Sequence, residues 1–152
     1  MTNLQSPAVA ALVLRRTYPV PRERVFAAWT NPEIAARFLG PGNIKSTVSE
    51  MDVKVGGAFC ITMDSPENGR FVARGTYVEV NAPKRLVMTW RWEEDDPAEE
   101  YDSLLSLDFN DRNGATELVL THEKLASVES RARHEEGWSD ILDQLTIVLE
   151  AS

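Results

Sequence analysis

The stretch SVESRARHEEGWSDILDQLTIVLEA, residues 127–151, decides the fold. Trp138, Ile141, Leu142, Leu145, Val148 and Leu149 recur at three- and four-residue spacing, which puts them on one apolar stripe of a long helix. Glu136, Asp140, Asp143 and Gln144 fall largely off that stripe. Ser127 is placed to cap the first turn, and Glu129 lies where the positive end of the helix dipole favours an anion. Such a stripe needs an apolar surface to lie on. Gly137 interrupts the helix at a cost of about 1 kcal/mol relative to Ala. That cost points to a close backbone approach or to a gap left for something else; close packing on a sheet is the expected cause.

The partner surface lies upstream. Leu12 to Val20 reads as a first strand ended by Pro19-Val20-Pro21. Pro21 suits the first position of a helix whose apolar side is Val25, Phe26 and Trp29. Asn31-Pro32-Glu33 restarts the chain as a second short helix, with Asn31 as cap and Ile34 and Phe38 inward, and Gly40-Pro41-Gly42 ends it. From Ile44 the period drops to two. Strands are predicted near residues 44–54, 57–64, 69–80, 84–92, 102–110 and 115–123. Gly56-Gly57, Pro66-Glu67-Asn68-Gly69, Asn81-Ala82-Pro83 and Asn113-Gly114 supply the reversals, and links this short favour antiparallel pairing. The fold class is therefore α+β: a curved seven-stranded antiparallel sheet, two short helices, and a long C-terminal helix across one face. Residues 1–11 are expected to be a lead-in and 12–152 a single domain.

The chain has 152 residues, 43% of them hydrophobic, which suits one globular domain with a substantial core. Its 16 basic against 24 acidic residues give a formal charge of -8 with no basic cluster, so nucleic acid is not an expected partner. The single cysteine, Cys60, excludes an internal disulfide framework and a cysteine-based zinc site and suits a reducing cytoplasm. The apolar run Pro7 to Leu14 lacks the preceding basic residues of a signal peptide, and no stretch is apolar for the length of a bilayer. A soluble, cytoplasmic protein is expected, of unspecified oligomeric state.

Four segments occur in order and cover nearly the whole chain: PRERVFAAWTNPE at 21–33, VGGAF at 55–59, PKRLVMTW at 83–90, and HEEGW at 134–138 followed by Leu142 and Leu145. In these the chain resembles the family named for the C-terminal domain of the activator of the heat-shock protein 90 ATPase, within the START and polyketide-cyclase superfamily. The resemblance implies the helix-grip fold, in which the long helix lies across the curved sheet and leaves a cavity between them. Members of that superfamily include binders of apolar small molecules, carriers, cyclases, ring-hydroxylase subunits and co-chaperone domains, so the fold alone does not choose a function. The co-chaperone carries a separate N-terminal chaperone-binding domain, whereas only a short lead-in is expected before Leu12.

In the strand 84–92, Leu86, Met88, Trp90 and Trp92 share the face expected to meet the long helix, as do Phe59, Ile61 and Met63 earlier and Leu118, Leu120 and His122 later. Met and aromatic side chains can line an adaptable pocket or fill a solid core, and both outcomes stay open. The candidate ligand-contacting residues are Phe59, Met63, Met88, Trp90, Trp92 and Trp138, with Leu142. His122, His134 or Tyr77 would set orientation. His134 precedes Trp138 by one turn, and either histidine could serve as polar anchor or general acid/base, although a satisfied structural histidine is the expected role. Arg74 would orient a carboxylate if it pointed inward; an exposed ion pair is its expected state. The acidic run Glu93 to Glu100 lacks the pattern of a calcium loop and reads as a solvated hairpin tip. No nucleophile elbow, phosphate loop, dinucleotide fingerprint or compact metal-ligand set occurs, so no cofactor and no metal are expected. The expected function is binding of a small, largely apolar molecule. The alternatives are a co-chaperone or stress-response domain with a chaperone or other protein partner, and a cofactor-independent cyclase or hydrolase.

Overall fold

The computed structural model describes residues 9–151; residues 1–8 of the expected lead-in lie outside the described residues. In chain order the elements are β1 (Leu12–Tyr18), α1 (Arg22–Thr30), α2 (Pro32–Phe38), β2 (Lys45–Met51), β3 (Ala58–Ser65), β4 (Gly69–Asn81) and β5 (Arg85–Trp92). A single 3-10 turn (Pro97–Glu99), β6 (Ser103–Arg112), β7 (Ala115–Glu123) and α3 (Val128–Ala151) complete the chain. The strands form one seven-stranded sheet in the order β1-β7-β6-β5-β4-β3-β2, antiparallel at every junction. β2 to β7 are a meander, and β1 returns to the far edge beside β7, so α1 and α2 carry the chain from one edge of the sheet to the other. This is the curved α+β helix-grip architecture.

Local chemistry sets the helix ends. The Asn31 side chain accepts from the amides of Glu33 (2.9 Å) and Ile34 (3.3 Å), capping α2 as expected. Ser127 Oγ accepts from the Ser130 amide at 3.0 Å and caps α3 in the same way. Pro21 differs from expectation: it is the N-cap of α1, with extended backbone (φ -63°, ψ 150°), and the helix begins one residue later. A proline at the cap still removes an amide that the helix could not have bonded.

Register explains the faces. Phe59, Ile61 and Met63 of β3 stand opposite Gly75, Ala73 and Phe71 of β4, so these share the concave side. Between Tyr77 and Glu79 the β4–β5 register slips by one residue, and this bulge switches the parity of β4. Tyr77, before the slip, keeps the inward parity of Ala73 and stands opposite Met88, and Val80, after it, also reaches the core opposite Leu86. That slip is why odd-numbered Tyr77 and even-numbered Val80 both face the core within one strand. Gly75 sits where a Cβ would collide with the Thr89 carbonyl, which lets β4 approach β5 closely beside Phe59.

The helix is gripped by polar as well as apolar contacts. Trp138, Ile141, Leu142, Leu145 and Leu149 are buried on the sheet. The buried Tyr18 hydroxyl donates to the Leu142 carbonyl (2.9 Å), and burial raises its pKa above the usual tyrosine range. Gln144 donates to the Gly40 carbonyl (2.7 Å), and Arg131 donates to the carbonyls of Ala10 (3.1 Å) and Ala11 (3.3 Å). Among the described residues no helix is long and apolar enough to cross a membrane.

Candidate functional site

The first half of α3 reaches the sheet through two hydrogen-bonded side-chain pairs, His134 with Trp92 (2.9 Å) and Trp138 with His122 (3.0 Å). Beneath the first half a cavity of about 390 Å³ remains. Met63 of β3, Trp90 and Trp92 of β5, and Trp138 and Ile141 of α3 form its apolar walls. Ser130, His134 and Gly137 line it from α3, and Pro41 closes one side. Its rim is made by Glu94 and Tyr101 of the β5–β6 loop, Ala126 and Ser127 ahead of α3, and Arg133. The Ala126 amide donates to the Tyr101 hydroxyl at 3.1 Å and joins the two rim loops.

Gly137 owes its place to this space. A Cβ built on it would meet only Pro41 Cγ, at 4.0 Å, which is ordinary contact. The expected close approach of helix to sheet is thus replaced by the other reading, a gap. The glycine leaves one wall of the cavity without a side chain.

Of the residues singled out from sequence, Met63, Trp90, Trp92, His134 and Trp138 come together on the cavity. Phe59, Tyr77, Met88, His122 and Leu142 lie in the surrounding core instead. Phe59 packs 5.6 Å from both Tyr77 and Trp90, ring centre to ring centre, and supports the wall from behind. Burial raises the Tyr77 phenol above its ordinary range. Arg74 points to the outer face and pairs with Glu93 (2.9 Å) and Glu100 (3.2 Å), as expected of an exposed ion pair. Residues missed from sequence are Pro41, Glu94, Tyr101, Ser127, Ser130, Arg133 and Ile141. Most belong to loops or to the edge of the helix stripe, where periodicity carries no signal. Gly137 had one, the helix cost.

The two histidines adjoin each other behind and beside the cavity, ring centres 4.8 Å apart and nearly perpendicular. Hydrogen-bond direction determines their states. Ser103 Oγ has one proton and donates it to the Trp90 carbonyl at 2.8 Å, so at 2.7 Å it must accept from His122 Nε2–H. His122 Nδ1 is then the acceptor for the Trp138 indole N–H at 3.0 Å. His134 is the opposite tautomer: Nε2 accepts from the Trp92 indole N–H at 2.9 Å, while Nδ1–H donates to the Ser130 carbonyl at 2.7 Å. Each imidazole is neutral and fully used. Protonating either would set an N–H against an indole N–H.

Burial, with a lesser contribution from His134, pushes the His122 pKa down to about 3. Burial also lowers that of His134, opposed by its bond to the Ser130 carbonyl. The 2.7 Å Ser103–His122 contact has the spacing of a nucleophile and its base. Its proton arrangement is the reverse: the nitrogen facing Ser103 carries a hydrogen and cannot accept one. At the rim, Glu94 and Arg133 have no ion-pair partner among the described residues. No group of three or more His, Cys, Asp or Glu side chains is arranged to hold a metal ion among the described residues.

A long helix gripping a seven-stranded sheet over an indole-walled cavity defines this chain as a helix-grip domain. It belongs to the family described as activator of Hsp90 ATPase homolog 1-like protein, whose model matches residues 19–150. No curated protein matches it in sequence. Among solved structures, an AHSA1 protein of Silicibacter pomeroyi is 28% identical with a TM-score of 0.82, the match covering 93% of this chain and 99% of that one. A protein of Chromobacterium violaceum is 25% identical with a TM-score of 0.82, over 92% and 96% of the two chains. An Arthrobacter aurescens protein shares the fold at 17% identity and a TM-score of 0.85, over 93% and 87%.

Proposed function

We propose that the chain binds a small, largely apolar molecule in the cavity beneath the first half of α3. The observation that carries this reading is the 390 Å³ cavity itself, walled by three tryptophans and a methionine and widened by a glycine inside a helix. Hydrophobic ligands are common among proteins of this fold family. An aromatic body hiding roughly 200 Å² of apolar surface there would gain about 5 kcal/mol from burial. The neutral, fully bonded histidines hold the indole walls in place and need not take part in any reaction. His134 lies on the wall, yet its acceptor nitrogen is already taken by Trp92. A histidine-based hydrolase or cyclase mechanism has no free base to begin from.

The test is native mass spectrometry of the purified protein with extraction of any bound molecule, run beside Gly137→Leu, which fills the cavity from the helix side. A bound apolar species present in the parent and absent from a folded Gly137→Leu variant supports the reading. If small aromatic probes shift no amide signals around Trp90, Trp92 and Trp138, the reading fails.

A further inference from the structure

We propose that the cavity takes an elongated apolar molecule whose outer end leaves it and lies against Phe71 of β4, so that this residue selects for ligand length; this deepens, and rests on, the binding role given above. The inward faces of the central strands are buried wherever the chain covers them. Ile61 and Met63 of β3, Ala73 and Tyr77 of β4, and Met88 and Trp90 of β5 are no more than 5% exposed. Phe71 shares that face by register, directly opposite Met63, yet it is 42% exposed.

Its neighbours tie Phe71 to the cavity. Met63, its cross-strand partner, is a cavity wall, and directly opposed residues of an antiparallel pair stand about 5 Å apart at Cβ. On the other side, the Glu93 amide donates to the Val72 carbonyl at 2.9 Å and carries the β4–β5 ladder one residue past the Ala73–Trp92 pair. The next residues in that register are Phe71 and Glu94, and Glu94 is on the cavity rim. Phe71 thus stands between a wall residue and a rim residue. Gly69 and Ala73, which flank it along the same face, are too small to cover the ring. The nearby ion pair of Arg70 and Asp64 (3.0 Å) belongs to the opposite face of the sheet by alternation. The ring is therefore an apolar continuation of the cavity wall, open to water. A short ligand held between the indoles and Met63 leaves it wet, whereas a longer one covers it. Full burial is worth about fourfold in affinity per methylene, and one-sided contact on Phe71, at half that burial, about twofold.

The probes are 4-alkylphenols, from 4-ethylphenol to 4-octylphenol, titrated against the whole protein by tryptophan fluorescence and amide shifts, with folding checked by circular dichroism. Affinity should rise with chain length in the parent, and the amides of Gly69 to Val72 should move only with the longer members. Phe71→Ser should bind 4-ethylphenol as the parent does and 4-octylphenol about tenfold more weakly, from roughly twofold for each of three or four outer methylenes. Phe71→Leu, which keeps an apolar side chain there, should retain most of the gain. Equal weakening of short and long members places the effect inside the cavity and overturns the proposal, as does an unchanged length dependence in Phe71→Ser. Binding of 4-ethylphenol with no gain from longer chains also overturns it and leaves the cavity role standing. If no member binds the parent, that role fails as well. Binding of 4-octylphenol that persists undiminished in a folded Gly137→Leu variant locates it on the surface around Phe71 alone and overturns the proposal.

Discussion

Replacing Gly137 with alanine should make the protein more stable and its cavity smaller. The residue lies inside the 24-residue helix α3, where glycine costs about 0.8 to 1.0 kcal/mol relative to alanine through backbone entropy. Nothing in the structure offsets the gain, because the new methyl would meet only Pro41 Cγ, at 4.0 Å. With an unfolding entropy of about 2.1 cal/mol/K per residue, the 152 residues give roughly 0.32 kcal/mol/K, so 1 kcal/mol raises Tm by about 3 °C. The same methyl takes up space in the cavity that Gly137 lines beside Pro41, so affinity for a cavity-filling aromatic should fall while stability rises. Urea titration and calorimetry measure the first effect; probe titration measures the second. A destabilised Gly137→Ala protein would refute the reasoning, since it would mean that α3 lies closer to its neighbours than the open wall implies.

Further expectations follow from the histidine pair and the helix caps. His122 has a folded pKa of about 3 against an ordinary 6.5, so the unfolded chain takes up its proton first as pH falls. The stability due to neutral His122 is complete above about pH 6.5 and is lost progressively towards pH 3; at pH 5 the loss is about 2 kcal/mol, measurable by urea unfolding across that range. Ser103→Ala should cost about 1 to 3 kcal/mol, because it strips the acceptor from His122 Nε2–H in a buried site, and a variant as stable as the parent would contradict the assigned tautomer. Trp92→Phe should raise the pKa of His134, seen by NMR titration, since it removes the indole N–H that opposes protonation at Nε2. Asn31→Ala should lower stability by about 1 kcal/mol through loss of the α2 cap, with no change in probe affinity.

Several features of the site were legible residue by residue. The facing of Trp90 and Trp92 followed from strand alternation, and that of Trp138 from helix spacing, because a side chain's face is a local property of its element. Caps at Asn31 and Ser127 were readable for the same reason, each bond spanning two or three residues. Residues beyond reach were those defined by distant partners. Glu94 and Tyr101 sit on one loop and Arg133 on a helix edge, and nothing in their own neighbourhoods marks them as rim. His122 and His134 could be placed on inward faces, yet only their partners show that one is held by Ser103 and Trp138 and the other by Ser130 and Trp92. The β4 bulge shows the limit of periodicity: a single slipped residue between Tyr77 and Glu79 puts Val80 on the same face as Tyr77, so no strict period of two fits the whole strand.

By itself the sequence determined the order and type of the elements, the amphipathic stripe of α3, the antiparallel meander and the family, since these rest on periodicity, turn chemistry and short motifs within single segments. Whether the aromatic and methionine faces close into a solid core or stop short of it was decided only in the tertiary structure. The distance between α3 and the sheet is set by contacts made far apart in the chain, Tyr18 to Leu142 and Gly40 to Gln144 among them. Those contacts fix the second half of the helix, the Trp138–His122 and His134–Trp92 pairs set the first half against the sheet, and beside them a glycine that looked like a packing device becomes part of a cavity wall.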